Sequence, residues 1–350
     1  MACETSSILY HDFIYYQGNY RKAKSYAKDM HHYLHAYTAE KKAQYHFHQI
    51  AGRMTITNKP GQYFDAINSI EQLNGTSIQY YSHLFRLKIL LGVQQGDYPA
   101  VSQQCKKALQ FFAGRKGVHS STFQFLHLKK GISHMVQSDY RKAGRSFSQA
   151  AKLAPVKSVN DYISRLYLAL NAIHAKNYTE AYEIYRANRK CKFAPIREQF
   201  TIIEAYMCFL AHEGYLQLDR RFRIGKYLNE TFQAQANKQG DNINILIAEL
   251  LVYYARDREK FIDRVDAVKR YSYQYLKTTE TQRAKHFMKI LCLLPKANFH
   301  IPTLRRLAKR HIDWLDDHPL HVGNNFAIEI IPFDDLLKMI LGKAERKMAT

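Results

Sequence analysis

The chain has 350 residues, 46% hydrophobic and 23% charged, with 15 Gly and 8 Pro, which excludes collagen-like and low-complexity sequence and leaves apolar material for a large core. Lys and Arg outnumber Asp and Glu by 52 to 30, a formal charge of +22. A field of that size attracts anionic partners over the roughly 8–10 Å that salt leaves unscreened.

From the N-terminus, MACETSSILYHDFIYY carries no Lys or Arg before Arg21 and no apolar stretch of signal-peptide type, so it does not read as a secretory signal. Apolar runs are short, as in Ile290 to Leu294 with five residues, and none approaches the roughly 20 that cross a bilayer. No membrane span is expected. Cys3, Cys105, Cys191, Cys208 and Cys292 form no C-x-x-C pair, which argues against a disulfide framework or a zinc module and for a cytoplasmic location.

Apolar residues recur at three- and four-residue spacing through most of the chain, as in Phe125, Leu128, Ile132, Met135 and in Ile163, Leu166, Leu170, Ile173. That period places each set on one face of a helix. Short polar turns interrupt the helices: GNYRKA from Gly18, GQYFDA from Gly61, GDYPAV from Gly96, SDYRKA from Ser138 and KNYTEA from Lys176. Their tyrosines, Tyr20, Tyr63, Tyr98, Tyr140 and Tyr178, stand 43, 35, 42 and 38 residues apart. Each turn predicts the end of one helix and the start of the next, with the Tyr filling the space between hairpins. Ala23, Ala66, Ala143 and Ala181 would let helix backbones approach. One hairpin cannot bury its apolar face alone, so the copies must stack.

The pattern resembles the tetratricopeptide repeat family over residues 6–190. Its strongest copy is SDYRKAGRSFSQAAKLAP, where Tyr140, Ala143, Phe147, Ala150 and Pro155 match the second-helix positions and Gly131 the small first-helix position. The spacings exceed the family's usual 34 residues, and lengths near 40 also suit HEAT-type hairpins, which lack the recurrent turn. The resemblance implies an all-α, right-handed superhelical solenoid of stacked antiparallel helical hairpins. Residues 1–190 are expected to form the array, 191–315 a degenerate continuation, and 316–350 a polar loop, a short extended piece over Phe326–Ile331 and a capping helix. Phe326–Leu341 is expected to pack back as the terminal cap or to dock a partner.

Chemistry-bearing patterns are few. His31, His35, His46 and His48 lack a third ordered ligand for a metal. No G-x-S-x-G elbow, phosphate loop or dinucleotide fingerprint occurs. The sequence therefore predicts no enzyme, no cofactor and no metal. It predicts instead a protein–protein interaction scaffold that binds a peptide or acidic protein segment in a concave groove, with first-helix residues His83, Arg86, Lys129 and Arg165 as groove candidates. A nucleic-acid-binding helical repeat using basic clusters such as Arg305, Arg306, Lys309 and Arg310 is the alternative. A peptide-sensing regulator of tetratricopeptide type is a third.

Overall fold

The computed structural model describes residues 2–53, 60–219, 222–225, 227, 241–278, 281–318, 320 and 329–342. Among them every regular element is helical. In order these are α1 (Ala2–His11), a π-helical turn (Asp12–Tyr16), α2 (Tyr20–Arg53), α3 (Pro60–Glu71), α4 (Ile78–Gln95), α5 (Tyr98–Phe112), α6 (Ser120–Val136) and α7 (Tyr140–Leu153). There follow α8 (Val159–His174), α9 (Tyr178–Asn188), α10 (Ala194–His212), α11 (Asp241–Arg256), α12 (Arg258–Tyr275), α13 (Gln282–Leu293), α14 (Ile301–Asp317) and α15 (Phe333–Leu341). Neighbours in sequence pack as pairs, such as α4 with α5, α7 with α8 and α13 with α14. Contacts also join α2 to α4, α8 to α10 and α11 to α13, so apolar faces that a single pair leaves open are covered by the next.

The chain divides into two compact units, residues 1–129 and 130–350. In the first, one core cluster gathers Ala39, Ala43, Ile70, Leu84 and Leu87, and a second Val101, Cys105, Ala108, Phe112 and Leu126. In the second unit a single core runs from Ala169 to Ile340.

The recurrent turn has one construction at three of its five copies. Gly96, Ser138 and Lys176 hold left-handed φ values of 72°, 59° and 62°. The next residue closes a six-residue ring onto the preceding helix: Asp97 N–H bonds Gly92 O, Asp139 N–H bonds His134 O, and Asn177 N–H bonds Ala172 O. This is the Schellman termination. The same Asp97, Asp139 and Asn177 then cap the following helix, their side chains accepting from the N–H of Ala100, Lys142 and Glu180. One polar residue thus ends one helix and begins another, and the Tyr behind it takes the first helical position. Left-handed backbone is costly for the non-glycine Ser138 and Lys176, a cost the paired terminations offset.

Two copies depart. At GQYFDA the helix already begins at Pro60, so Gly61 is helical and does not form a turn. At GNYRKA the closing bond runs from Asn19 N–H to Phe13 O, one residue longer than elsewhere. A one-residue slip turns a helical side chain by about 100°. Tyr20 accordingly lies 73% exposed and does not fill the space between hairpins. Tyr63, Tyr98 and Tyr178 are buried, and Tyr140 is half-buried against His174. Ala23, Ala66, Ala143, Phe147, Ala150 and Ala181 are buried. A Cβ on Gly131 would fall 2.5 Å from the Phe147 ring, which explains the glycine there. On α6, Ile132 and Met135 of the expected stripe are buried, while Phe125 and Leu128 are only half-buried and Leu126 is buried instead.

Residues 329–342 pack back onto the second unit. Ile330, Ile331, Phe333, Leu336 and Ile340 are buried, and the Phe333 ring stacks on Phe287 at 4.6 Å. Arg283 Nε donates to Glu329 Oε1 at 2.7 Å and Nη2 to Asp334 at 3.1 Å, while Phe333 N–H donates to Glu329 Oε2 at 2.6 Å. His174 Nε2 meets the Glu329 carbonyl oxygen at 2.7 Å, and Lys176 pairs with Asp335 at 2.8 Å. Burial pushes the Glu329 carboxyl up to about 6, against the opposing pull of Arg283. Glu329–Ile331 form no strand. Phe326 to Ile328 and most of the expected polar loop lie outside the described residues.

Candidate functional site

In the first unit three helices bring cations and aromatic rings together, with no acid among the described residues paired to Arg86 or Lys129. On α4, which Ser77 caps by accepting from Tyr80 N–H, the buried leucines Leu84, Leu87 and Leu91 fix the helix rotation. His83 and Arg86, three residues apart, then share the flank of that stripe. Helix α6 presents Thr122, Phe125 and Lys129, spaced by three and four, on one face. Helix α2 supplies Phe47 and His48.

The Arg86 guanidinium lies 5.7 Å from the Phe47 ring centre and 5.2 Å from that of Phe125, and Lys129 Nζ lies 5.9 Å from Phe125. Such placements attract a cation to the ring face. Arg86 Nη2 donates to Thr122 Oγ1 at a long 3.5 Å, and the Ser82 and Thr122 hydroxyls stand 3.4 Å apart. Arg86 Nε and His83 Nδ1 are buried with no hydrogen-bond partner among the described residues. His83 packs against Phe47 at 5.3 Å and near His48 at 6.3 Å between ring centres.

The electrostatics are one-sided. Burial first, then the charges of Arg86, His48 and Lys41, bring His83 down to about 4, so it is neutral at pH 7. Burial alone pulls the Arg86 guanidinium below its ordinary pKa, and burial does the same to the Lys129 ammonium. Among the described residues neither Arg86 nor Lys129 forms an ion pair. Unpaired cations partly withdrawn from water are unfavourable unless a ligand supplies the counter-charge. The cluster can hold a planar anion edge-on at the guanidinium while apolar groups rest on the rings.

Of the four groove candidates, His83, Arg86 and Lys129 fall in this cluster. Arg165 belongs to the second unit, where its Nε donates to Asp161 at 2.7 Å; that carboxylate also accepts from Lys157 N–H at 2.9 Å. It serves the start of α8. Sequence reasoning missed Phe47, Thr122 and Phe125 as site residues, although the spacing of Thr122, Phe125 and Lys129 was a usable signal. His48 had been weighed only as a metal ligand. Among the described residues no three His, Cys, Asp or Glu side chains stand where they could hold a metal. No helix among them is long and apolar enough to cross a membrane.

A concavity of about 540 Å³ in the second unit is lined by residues that include Tyr182, Glu183, Arg186 and Gly214–Asp219. Its charges are spent on one another: Tyr182 donates to Asp219, and Arg186 pairs with Glu183 at 2.7 Å and Asp219 at 3.4 Å. Burial raises the Cys208 and Cys292 thiols to about 11, leaving both protonated and poor nucleophiles at neutral pH. No protein-family model matches the chain, and no curated protein or solved structure matches it.

Proposed function

We propose that this chain is a non-catalytic scaffold, a right-handed solenoid of tetratricopeptide type working in the cytoplasm, that binds an acidic protein segment at the cation–aromatic cluster of its first unit. The observation that carries the reading is the pair of cations, Arg86 and Lys129, held against Phe47 and Phe125 with no carboxylate among the described residues in an ion pair with either. A ligand acid would accept from the guanidinium edge, and an apolar neighbour on the ligand would pack on the rings. Charge would set the rate of encounter and the rings the lifetime.

The turn construction shared by Gly96, Ser138 and Lys176 supports the repeat assignment. The test is fluorescence anisotropy with labelled peptides that alternate Glu with Leu or Phe. Saturable binding, weakened at least tenfold in Arg86→Met and in Lys129→Met with unchanged circular dichroism, is expected. Equal binding by both variants would sink the assignment of the site.

A further inference from the structure

A second cationic and aromatic face, in the second unit, is separate from the reading above. On α13 and α14 four rings form a run: His318 stacks on Trp314 with centres 4.0 Å apart and planes 8° apart, and Trp314 stacks on His286 at 4.0 Å and 27°. His286 meets His311 edge to face at 5.0 Å. The Nδ1 of His318 lies 2.8 Å from the Trp314 carbonyl oxygen, so it carries the proton and fixes the ring. His318 is exposed, and Trp314, His286 and His311 are half-buried, so His318 is the most accessible ring of the run.

Cations border the other end. Lys285, Lys289 and Arg310 lie close enough to His286 to disfavour its protonation, and Lys289 and Arg310 act likewise on His311. Lys289 and Arg310 are exposed, and among the described residues none of the three forms an ion pair. His286, held near 4, is neutral at pH 7. The face therefore offers stacking surface and fixed positive charge side by side. Asp313 and Asp317 stand three and seven positions after Arg310 on α14.

We propose that the α13–α14 face binds single-stranded nucleic acid, with a base extending the ring stack beyond His318 and phosphates held by Lys285, Lys289 and Arg310. A carboxylate-bearing peptide would use the cations but leave the stack unengaged, whereas a nucleotide strand carries both a flat ring and an anion in each repeating unit. Stacking tolerates any base, so little sequence preference is expected.

Trp314 is the only tryptophan of the chain, so intrinsic fluorescence reports on this face alone. Titration with a twelve-residue oligothymidylate at several salt concentrations is the test. Saturable quenching is expected, with log K falling linearly in log salt by about 0.7 per phosphate contacted. The Lys289→Ala/Arg310→Ala double variant should bind at least tenfold more weakly, with a slope smaller by about 1.4. His318→Ala, which removes a ring and no fixed charge, should weaken binding and leave the slope unchanged. Arg86→Met should leave the quenching intact, which separates this proposal from the peptide site. Absence of saturable quenching at 50 mM salt, undiminished binding by the double variant, or equal quenching by polyglutamate would overturn it.

Discussion

Arg86 and Arg283 are both guanidiniums drawn largely out of water, and their surroundings differ in one respect. Arg283 meets two carboxylates, Glu329 and Asp334, at 2.7 and 3.1 Å and fastens the C-terminal helix to the second unit. Arg86 meets two rings and a hydroxyl. A paired buried cation is accounted for by the fold, while an unpaired one costs stability and marks a place where something else is needed. Arg264, bonded to the buried Glu249 at 2.9 Å, belongs with Arg283.

The largest test of the contrast is Arg283→Ala. It strands Glu329 without its counter-charge and should cost about 3–5 kcal/mol, read as a lowered midpoint in urea and faster proteolysis after the helix α14 region. A cost below 1 kcal/mol would remove the distinction between the two arginines.

Acid should act on the two regions in opposite senses. His83 is held at about 4 against its ordinary 6.5, so the stability it contributes is present above pH 6.5 and is lost as pH falls toward 4. Glu329 is raised to about 6 from 4.5, so its contribution is full below pH 4.5 and is lost as pH rises through 6. Thermal melts from pH 7 to 5 should therefore flatten in His83→Gln and steepen in Glu329→Gln. The same slope in both variants and the parent would contradict these assignments.

A smaller effect of opposite sign is expected for Arg86→Met, which replaces an unpaired cation by an apolar chain of similar length. Its midpoint should stay within about 1 kcal/mol of the parent or rise, while acidic-peptide binding falls. The smallest change should follow Tyr20→Ala. With its ring in solvent, the variant should lie within about 0.5 kcal/mol of the parent, and a loss near that of a core tyrosine would show that Tyr20 packs after all.

Much of the helical order was legible because capping and spacing are local. Asp97, Asp139 and Asn177 stand where one residue ends a helix and starts the next, and the Asp or Asn placed directly before the Tyr records that geometry. The pattern misled at Gly61, where Pro60 starts the helix one residue earlier, and at Tyr20, where a π-helical turn adds a residue. Such slips are invisible in a motif because they change orientation and leave composition unaltered.

The sequence by itself determined that the chain is helical, where most helices begin, and that its charge favours anions, since these depend on residues a few positions apart or on a simple count. The tertiary structure alone decided which cations are neutralised. Glu329 reaches Arg283 across 46 residues, and Phe47 reaches Arg86 from another helix. Only packing fixes which distant side chains share a region of low dielectric, and so which charges are answered within the chain.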